Sequence, residues 1–200
     1  YDIAQNLFIS PNNVLIEGVS DLVYLQVLSG VLSEAGRKGL KEEITLVPVG
    51  GLDKVGTFVS LLRGSDLEIA CLLDSTIDMR SKAKLDDLIK EKIIKEKKIL
   101  FFDQFVEGLD KADIEDMFEI GEYLKIFNKA FKEYDNIKKS DLDGNFNGIL
   151  RKINSKLGID RFNHYRPANE LARQGNTAAS FSEKTLDRFE KLFEEINSLF

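Results

Sequence analysis

Leu15-Ile16-Glu17-Gly18-Val19-Ser20-Asp21 is the stretch on which the reading of this chain turns. The apolar run Asn13–Ile16 stops at Glu17-Gly18, as a buried strand does on entering a turn. Apolar residues then recur at Leu22, Leu25, Leu28 and Leu32, which predicts a helix over Asp21–Ala35, ended by Gly36 and Gly39. Strand, turn and helix in this order open a β-α-β unit. Gly18 is read as the residue that permits a tight turn.

The same alternation continues outward. Ile44–Val49 reads as a second strand closed by Gly50-Gly51, with Pro48 at a strand end or an edge because it donates no ladder hydrogen bond. Asp53 is placed to cap a helix running to Leu62. Leu67–Leu73 is nearly all apolar, as in a strand covered by helices on both faces. A charged helix over Lys82–Lys95 and a short strand over Ile99–Phe102 follow. The order β-α-β-α-β-α-β implies an α/β fold with a mostly parallel central sheet, flanked by helices joined through right-handed crossovers. Residues 111–200 read as a helical C-terminal extension to an α/β core of residues 1–110. Its helices are expected over Ile114–Tyr134, Asn147–Leu157, His164–Arg173 and Ser182–Phe200, with loops at Asp135–Asn145 and Gln174–Ser180.

Composition narrows the chemistry. The 200 residues carry 28 Lys and Arg against 34 Asp and Glu, with one His, one Cys and 14 Phe. Cys71 alone allows neither an intramolecular disulfide nor a Cys-cluster zinc site. His164 alone excludes any site built on two imidazoles. No apolar run approaches the length of a membrane span, and no basic leader precedes an apolar stretch, so neither a membrane nor a secretion signal is expected. Tyr1 stands where Met begins a gene product, and the chain is read as lacking an N-terminal portion. The net charge of −6 hides segments of opposite sign, since Arg80–Lys98 and Arg151–Gln174 are each net +4.

In parallel sheets the working residues gather at the carboxyl ends of the strands. There the sequence places Glu17 after the first strand and Asp74 after the third, with Asp21 four residues beyond Glu17. Asp21 reads equally well as a helix N-terminal acid. Asp74 reads equally as a turn former. Two such carboxylates make an oxygen-donor site suited to Mg²⁺ or Mn²⁺. Asp113-Ile114-Glu115-Asp116 closes a strongly acidic stretch, and Glu115 or Asp116 could supply further ligands. His164 and Arg166 fall at the mouth of a helix with Pro167 in its first turn, where they could reach a phosphate.

These motifs carry a resemblance. Leu15–Asp21 resembles the opening motif of Toprim domains, and Leu72-Leu73-Asp74-Ser75-Thr76 resembles their second acidic motif. Asn6-Leu7-Phe8, Val47–Gly51, Ile114-Glu115-Asp116 and His164–Ala168 extend the likeness to the C-terminal Toprim region of OLD-family (overcoming lysogenization defect) nucleases. The resemblance implies a Toprim-like fold and a DNA endonuclease that uses two Mg²⁺ or Mn²⁺ ions. It implies Glu17, Asp21 and Asp74 as metal ligands, Thr76 beside them, Glu115 and Asp116 as the later acidic motif, and His164 or Arg166 as the assisting basic group. Thr76 stands where the family has a second Asp, which gives up one negative charge. By the same resemblance ATP acts only through an N-terminal ABC-type ATPase domain, the setting is cytoplasmic antiviral defence or DNA processing, and the partners are DNA, that ATPase, a homo-oligomer and a helicase. Two other readings stand beside it: a catalytically degenerate Toprim module that acts as a structural or nucleic-acid-sensing partner of its ATPase, and a Toprim domain doing primase- or topoisomerase-type chemistry.

Overall fold

Strands form where the apolar runs are. A computed structural model describes residues 11–62, 67–75, 79–91 and 94–200. Its four strands are β1 (Asn12–Ile16), β2 (Ile44–Pro48), β3 (Glu68–Leu73) and β4 (Ile99–Phe101), all parallel, in the order β2-β1-β3-β4. Seven α-helices accompany them among the described residues. They are α1 (Val19–Glu34), α2 (Leu52–Leu62), α3 (Met79–Lys90), α4 (Ile120–Ala130), α5 (Ile149–Leu157), α6 (Tyr165–Arg173) and α7 (Glu183–Ser198). The α/β expectation holds, and β3 sits inside the sheet beside β1. Pro48 ends the edge strand β2, where its missing N–H costs no interior ladder bond.

The two-residue period of the strands divides the core. Val14, Ile16, Ala70, Leu72 and Leu100 face a large cluster that includes Tyr24, Leu25 and Leu28 of α1 and Leu186, Phe189, Phe193 and Ile196 of α7. Leu15, Val47, Cys71, Leu73 and Ile99 face a smaller one built with Val55 and Val59 of α2 and Leu85 of α3. Burial pushes the Cys71 thiol up to about 12, so it is a packing residue. The large cluster runs without a break from β1 through α7, so residues 111–200 complete the core of the first hundred. Much of the phenylalanine is spent there. Phe118 lies edge-on to Tyr24 at 5.4 Å and 5.2 Å from Phe189, and Phe127 stacks on Phe131 at 4.6 Å.

Ionic contacts tie α7 to the loop after α1. Arg37 reaches Glu183 at 3.1 Å, Asp187 at 2.5 Å and Glu190 at 2.6 Å, and Lys38 reaches Glu194 at 2.6 Å. Ser182 caps α7 as expected, its side chain accepting the Thr185 N–H. No helix among the described residues is long and apolar enough to cross a membrane.

Several expected boundaries move. The helix expected over Ile114–Tyr134 is broken: Ile114–Met117 is a single 3₁₀ turn, Phe118 is extended, and α4 begins at Ile120. The cause is side-chain competition for the backbone, since Asp116 accepts the Asp113 N–H and Glu122 accepts the Glu119 N–H, both at 3.0 Å. The charged helix starts and stops earlier, at Met79–Lys90 rather than Lys82–Lys95. Asp53 falls within α2, with its side chain outside the described residues.

Candidate metal centre

Between β1 and β3 the chain connections diverge, β2 lying beyond one strand and β4 beyond the other. The carboxyl ends of these two strands therefore lie at the switch point of the sheet, where parallel α/β folds place their binding crevices. Glu17 leaves β1 there and Asp74 leaves β3. Their register joins them directly, with the Asp74 N–H donating to Glu17 Oε1 at 3.0 Å. The main chain of Glu17 is held in turn, because its carbonyl accepts the N–H groups of both Gly50 and Gly51 at 2.9 Å. Those glycines have φ of 79° and 125°, so this is where the site uses glycine freedom. Gly18 corrects the expectation made for it. It is extended (φ −141°, ψ 173°), and an added Cβ would come no closer than 3.7 Å to Ser20.

Asp21 does two jobs. Its Oδ2 accepts the Gly18 N–H at 2.9 Å, which caps α1 and folds the carboxylate back toward Glu17. It is only 7% exposed. The acidic turn 113–116 arrives by a different route. Ser75, next to Asp74, donates its N–H to the Ala112 carbonyl at 3.0 Å, and its Oγ accepts the Ala112 N–H at 2.7 Å. That bridge sets Asp113 and Glu115 against the strand ends.

The electrostatics record the crowding. Burial lifts Glu17 to about 7, with Asp21 and Asp113 adding to the rise, and lifts Asp21 to about 6, with Asp113 adding again. Burial also raises Asp74 and Glu115 well above the usual carboxylate range. Both feel Asp21 and Asp113, and Asp74 feels Glu17 and Glu115 as well. Among the described residues, no Lys or Arg is a chief influence on these four groups. Elsewhere the protein relieves its acids, holding Glu68 low with Lys98 and Glu133 low with Arg166. The Asp74 Oδ1 is buried without a hydrogen-bond partner.

The other expected residues divide. Asp116 is a clamp: its carboxylate accepts the Asp113 N–H at 3.0 Å and the Ile149 N–H at 2.6 Å, joining the acidic turn to α5. His164 does come to the cluster, its Nδ1 lying 4.0 Å from Glu115 Oε1. Burial, and then Arg161, lower it to about 4, so it is neutral at pH 7, and its Nε2 is buried without a partner. Arg166 turns away: it pairs with Glu133, donates to the Ala130 carbonyl and lies 4.0 Å over the Phe131 ring. Thr76 lies outside the described residues, as do Asn6-Leu7-Phe8. Asp113 and Ser75 had no assigned role in the sequence reading. The Asp113 position depends on a contact spanning 37 residues, and only the polar pair Asp74-Ser75 at a strand end hints at it.

No protein-family model matches this chain, and no curated protein matches it in sequence. Solved structures do match in fold. The C-terminal region of the Burkholderia pseudomallei OLD protein aligns with a TM-score of 0.55 at 14% identity, covering 93% of this chain and 100% of that one. The C-terminal region of the Xanthomonas campestris pv. campestris OLD protein aligns with a TM-score of 0.51 at 17% identity, covering 94% and 98%. The fold is that of an OLD C-terminal region. At such identity the likeness carries the fold, and the chemistry of this chain rests on its own residues.

The donor set is of the kind that hard cations prefer. The donors are all oxygen, and one carboxylate oxygen is buried and unpartnered. Among the described residues, no three His, Cys, Asp or Glu side chains already close into a formed cation site. The acids stand as a mutually repelling group around the strand ends. Ser75→Ala should separate frame from ligands: losing the bridge to Ala112 should cost about 1–3 kcal/mol of stability in chemical denaturation. It should also weaken Mn²⁺ binding, although Ser75 is not a proposed ligand.

Proposed function

We propose that this chain is the nuclease module of an OLD-type protein, a Mg²⁺- or Mn²⁺-dependent DNA endonuclease. The observation that carries this reading is the convergence of Glu17, Asp21, Asp74 and Glu115 at the carboxyl ends of β1 and β3, with Asp113 among the charges that raise them. Carboxyl groups so placed resist ionising together and favour a bound cation. Glu17, Asp21, Asp74, Asp113 and Glu115 would hold the ions. Two divalent cations, when bound, supply charge stabilisation to the attacking and leaving oxygens of an in-line phosphodiester displacement.

The chain's own residues prepare the place. The Asp74 N–H fixes Glu17, the Gly18 N–H fixes Asp21, and Ser75 fixes the turn that carries Asp113 and Glu115. His164 stays neutral beside Glu115, so it leaves the acidic charge available to cations. Asp116 keeps its carboxylate on two backbone N–H groups and serves as frame. A cleft of about 790 Å³ lined by Lys129, Lys132, Arg166 and Arg173, with Glu133 and Glu170, supplies a mostly cationic track for phosphates on the helical side. We further propose that the module works beside an N-terminal ATPase partner in a cytoplasmic setting, as the description of its neighbours as C-terminal regions suggests.

A second reading has one observation behind it. Arg166, the basic residue of the stretch that resembles the family's, is engaged with Glu133 away from the acids, as it would be in a module that senses nucleic acid without cutting it. Nicking of supercoiled plasmid decides between them. The nuclease reading expects metal-dependent conversion to open circles that EDTA stops, and the sensing module expects DNA retention with no conversion in either metal.

A further inference from the structure

Four large hydrophobic side chains are exposed among the described residues: Val19 at 52%, Tyr134 at 37%, Phe146 at 39% and Tyr165 at 47%. Single exposed apolar side chains are ordinary on a protein surface. Three of these four are grouped by the chain itself. Val19 follows Gly18 at the start of α1. Phe146 is two residues before Gly148, where an added Cβ would lie 3.3 Å from the Asp116 carboxylate. Tyr165 follows His164, whose Nδ1 is 4.0 Å from Glu115. Phe146 is thus two residues along the chain from a contact with Asp116, and Tyr165 is one residue from a contact with Glu115, both in the same acidic turn. Phe162, two residues before His164, is by contrast buried at 5.0 Å from Phe127.

Beside the same turn is a cavity of about 240 Å³ lined by Asp110, Lys111, Asp113, Asp116, Asn147, Gly148 and Arg151. Lys111 and Arg151 bring positive charge to within one pocket of Asp113, as a polyanion's backbone requires next to acids that would repel it. Exposed aromatic rings beside cationic groups are the means by which proteins grip an unpaired strand. Each ring takes the face of a base, and the cations take the phosphates between.

We propose that Phe146 and Tyr165 are base-stacking residues beside the acidic turn, receiving unpaired nucleobases of the DNA strand whose phosphate reaches the acid cluster. This rests on the nuclease reading above and deepens it. Bases inside a duplex are covered on both faces, so the strand at this site is single or locally opened. Tyr165 binds through its ring, and its hydroxyl is dispensable.

The test is fluorescence anisotropy with a labelled 12-nucleotide single strand and with the duplex of the same sequence. It uses the 200-residue chain in Ca²⁺ so that substrate is not consumed. Tyr165→Ala and Phe146→Ala should each weaken single-strand binding by about tenfold, while Tyr165→Phe stays near the parent. The parent should prefer the single strand to the duplex. Both rings are on the surface, and unchanged thermal melts would show that the variants remain folded. Single-strand affinities of both alanine variants within about twofold of a parent that does bind would overturn the stacking assignment and leave the nuclease reading standing. A parent that binds neither probe overturns the nuclease reading, and this inference with it.

Discussion

Asp74→Ala and Glu17→Ala should each reduce Mn²⁺-dependent nicking of supercoiled plasmid to background, a loss of at least about 10²–10³-fold. Asp113→Ala should do the same, and this expectation comes from the folded arrangement, in which the Asp113 charge reaches Glu17, Asp21, Asp74 and Glu115. Asp116→Ala should behave differently. Its carboxylate satisfies the N–H groups of Asp113 and Ile149, and removing it strands the buried Ile149 donor at about 1–3 kcal/mol and frees the half-buried Asp113 donor. Asp116→Ala should therefore lower the melting temperature first and lose activity only as far as it unfolds. Gel quantification of nicked plasmid, beside thermal melts of every variant, separates the two behaviours. Nicking by Asp74→Ala and Glu17→Ala at the parent rate would place the chemistry elsewhere on the molecule.

The metal-free protein should be more stable at pH 5 than at pH 8. Glu17 is raised from 4.5 to about 7 and Asp21 from 3.8 to about 6, and Asp74 and Glu115 rise as well. A carboxyl whose folded-state pKa exceeds its unfolded value holds its proton longer when folded. The stabilisation is complete below about pH 4 and is lost as pH climbs through the folded values, here between about pH 4 and 7. These groups interact, so their individual shifts do not add. A net loss on the order of 3 kcal/mol is expected, equivalent to about 10 °C in a chain of this size. The Arg37 clasp works in the opposite sense, since Glu190 is held low by the Lys38 N–H and by Arg37, and its contribution is lost as pH falls. Asp74→Asn should flatten the decline, and Mn²⁺ added at pH 8 should restore the melting temperature of the parent but not of Asp74→Ala. A melting temperature that rises from pH 5 to pH 8 without metal would contradict a buried acid cluster with raised pKa values.

Glu17 and Asp74 were legible because their settings are local. Each directly follows an apolar run with strand character, and a parallel sheet presents its strand ends on one side. The adjacency of β1 and β3 followed from the apolarity of Leu67–Leu73, which suits an interior strand. Asp113, Asp116 and Arg166 were less legible, because each depends on a partner distant in the chain. Asp116 reads as a ligand in the sequence, and the fold shows its carboxylate accepting the Ile149 N–H, 33 residues on. Arg166 reads as catalytic, and the fold shows it paired with Glu133 in the turn after α4. The helix expected through Ile114–Tyr134 failed for a related reason. Its apolar period is real, but Asp116 and Glu122 bond the backbone locally, and Phe118 takes an extended conformation that puts its ring among Tyr24, Tyr123 and Phe189.

The central claim is that these carboxylates form a cation site, and isothermal titration with Mn²⁺ tests it without relying on cleavage. The account predicts saturable binding to the parent, approaching two ions per chain, that Asp74→Ala removes while its fold persists. Heats of the parent that match those of Asp74→Ala, with no saturable phase, would contradict it.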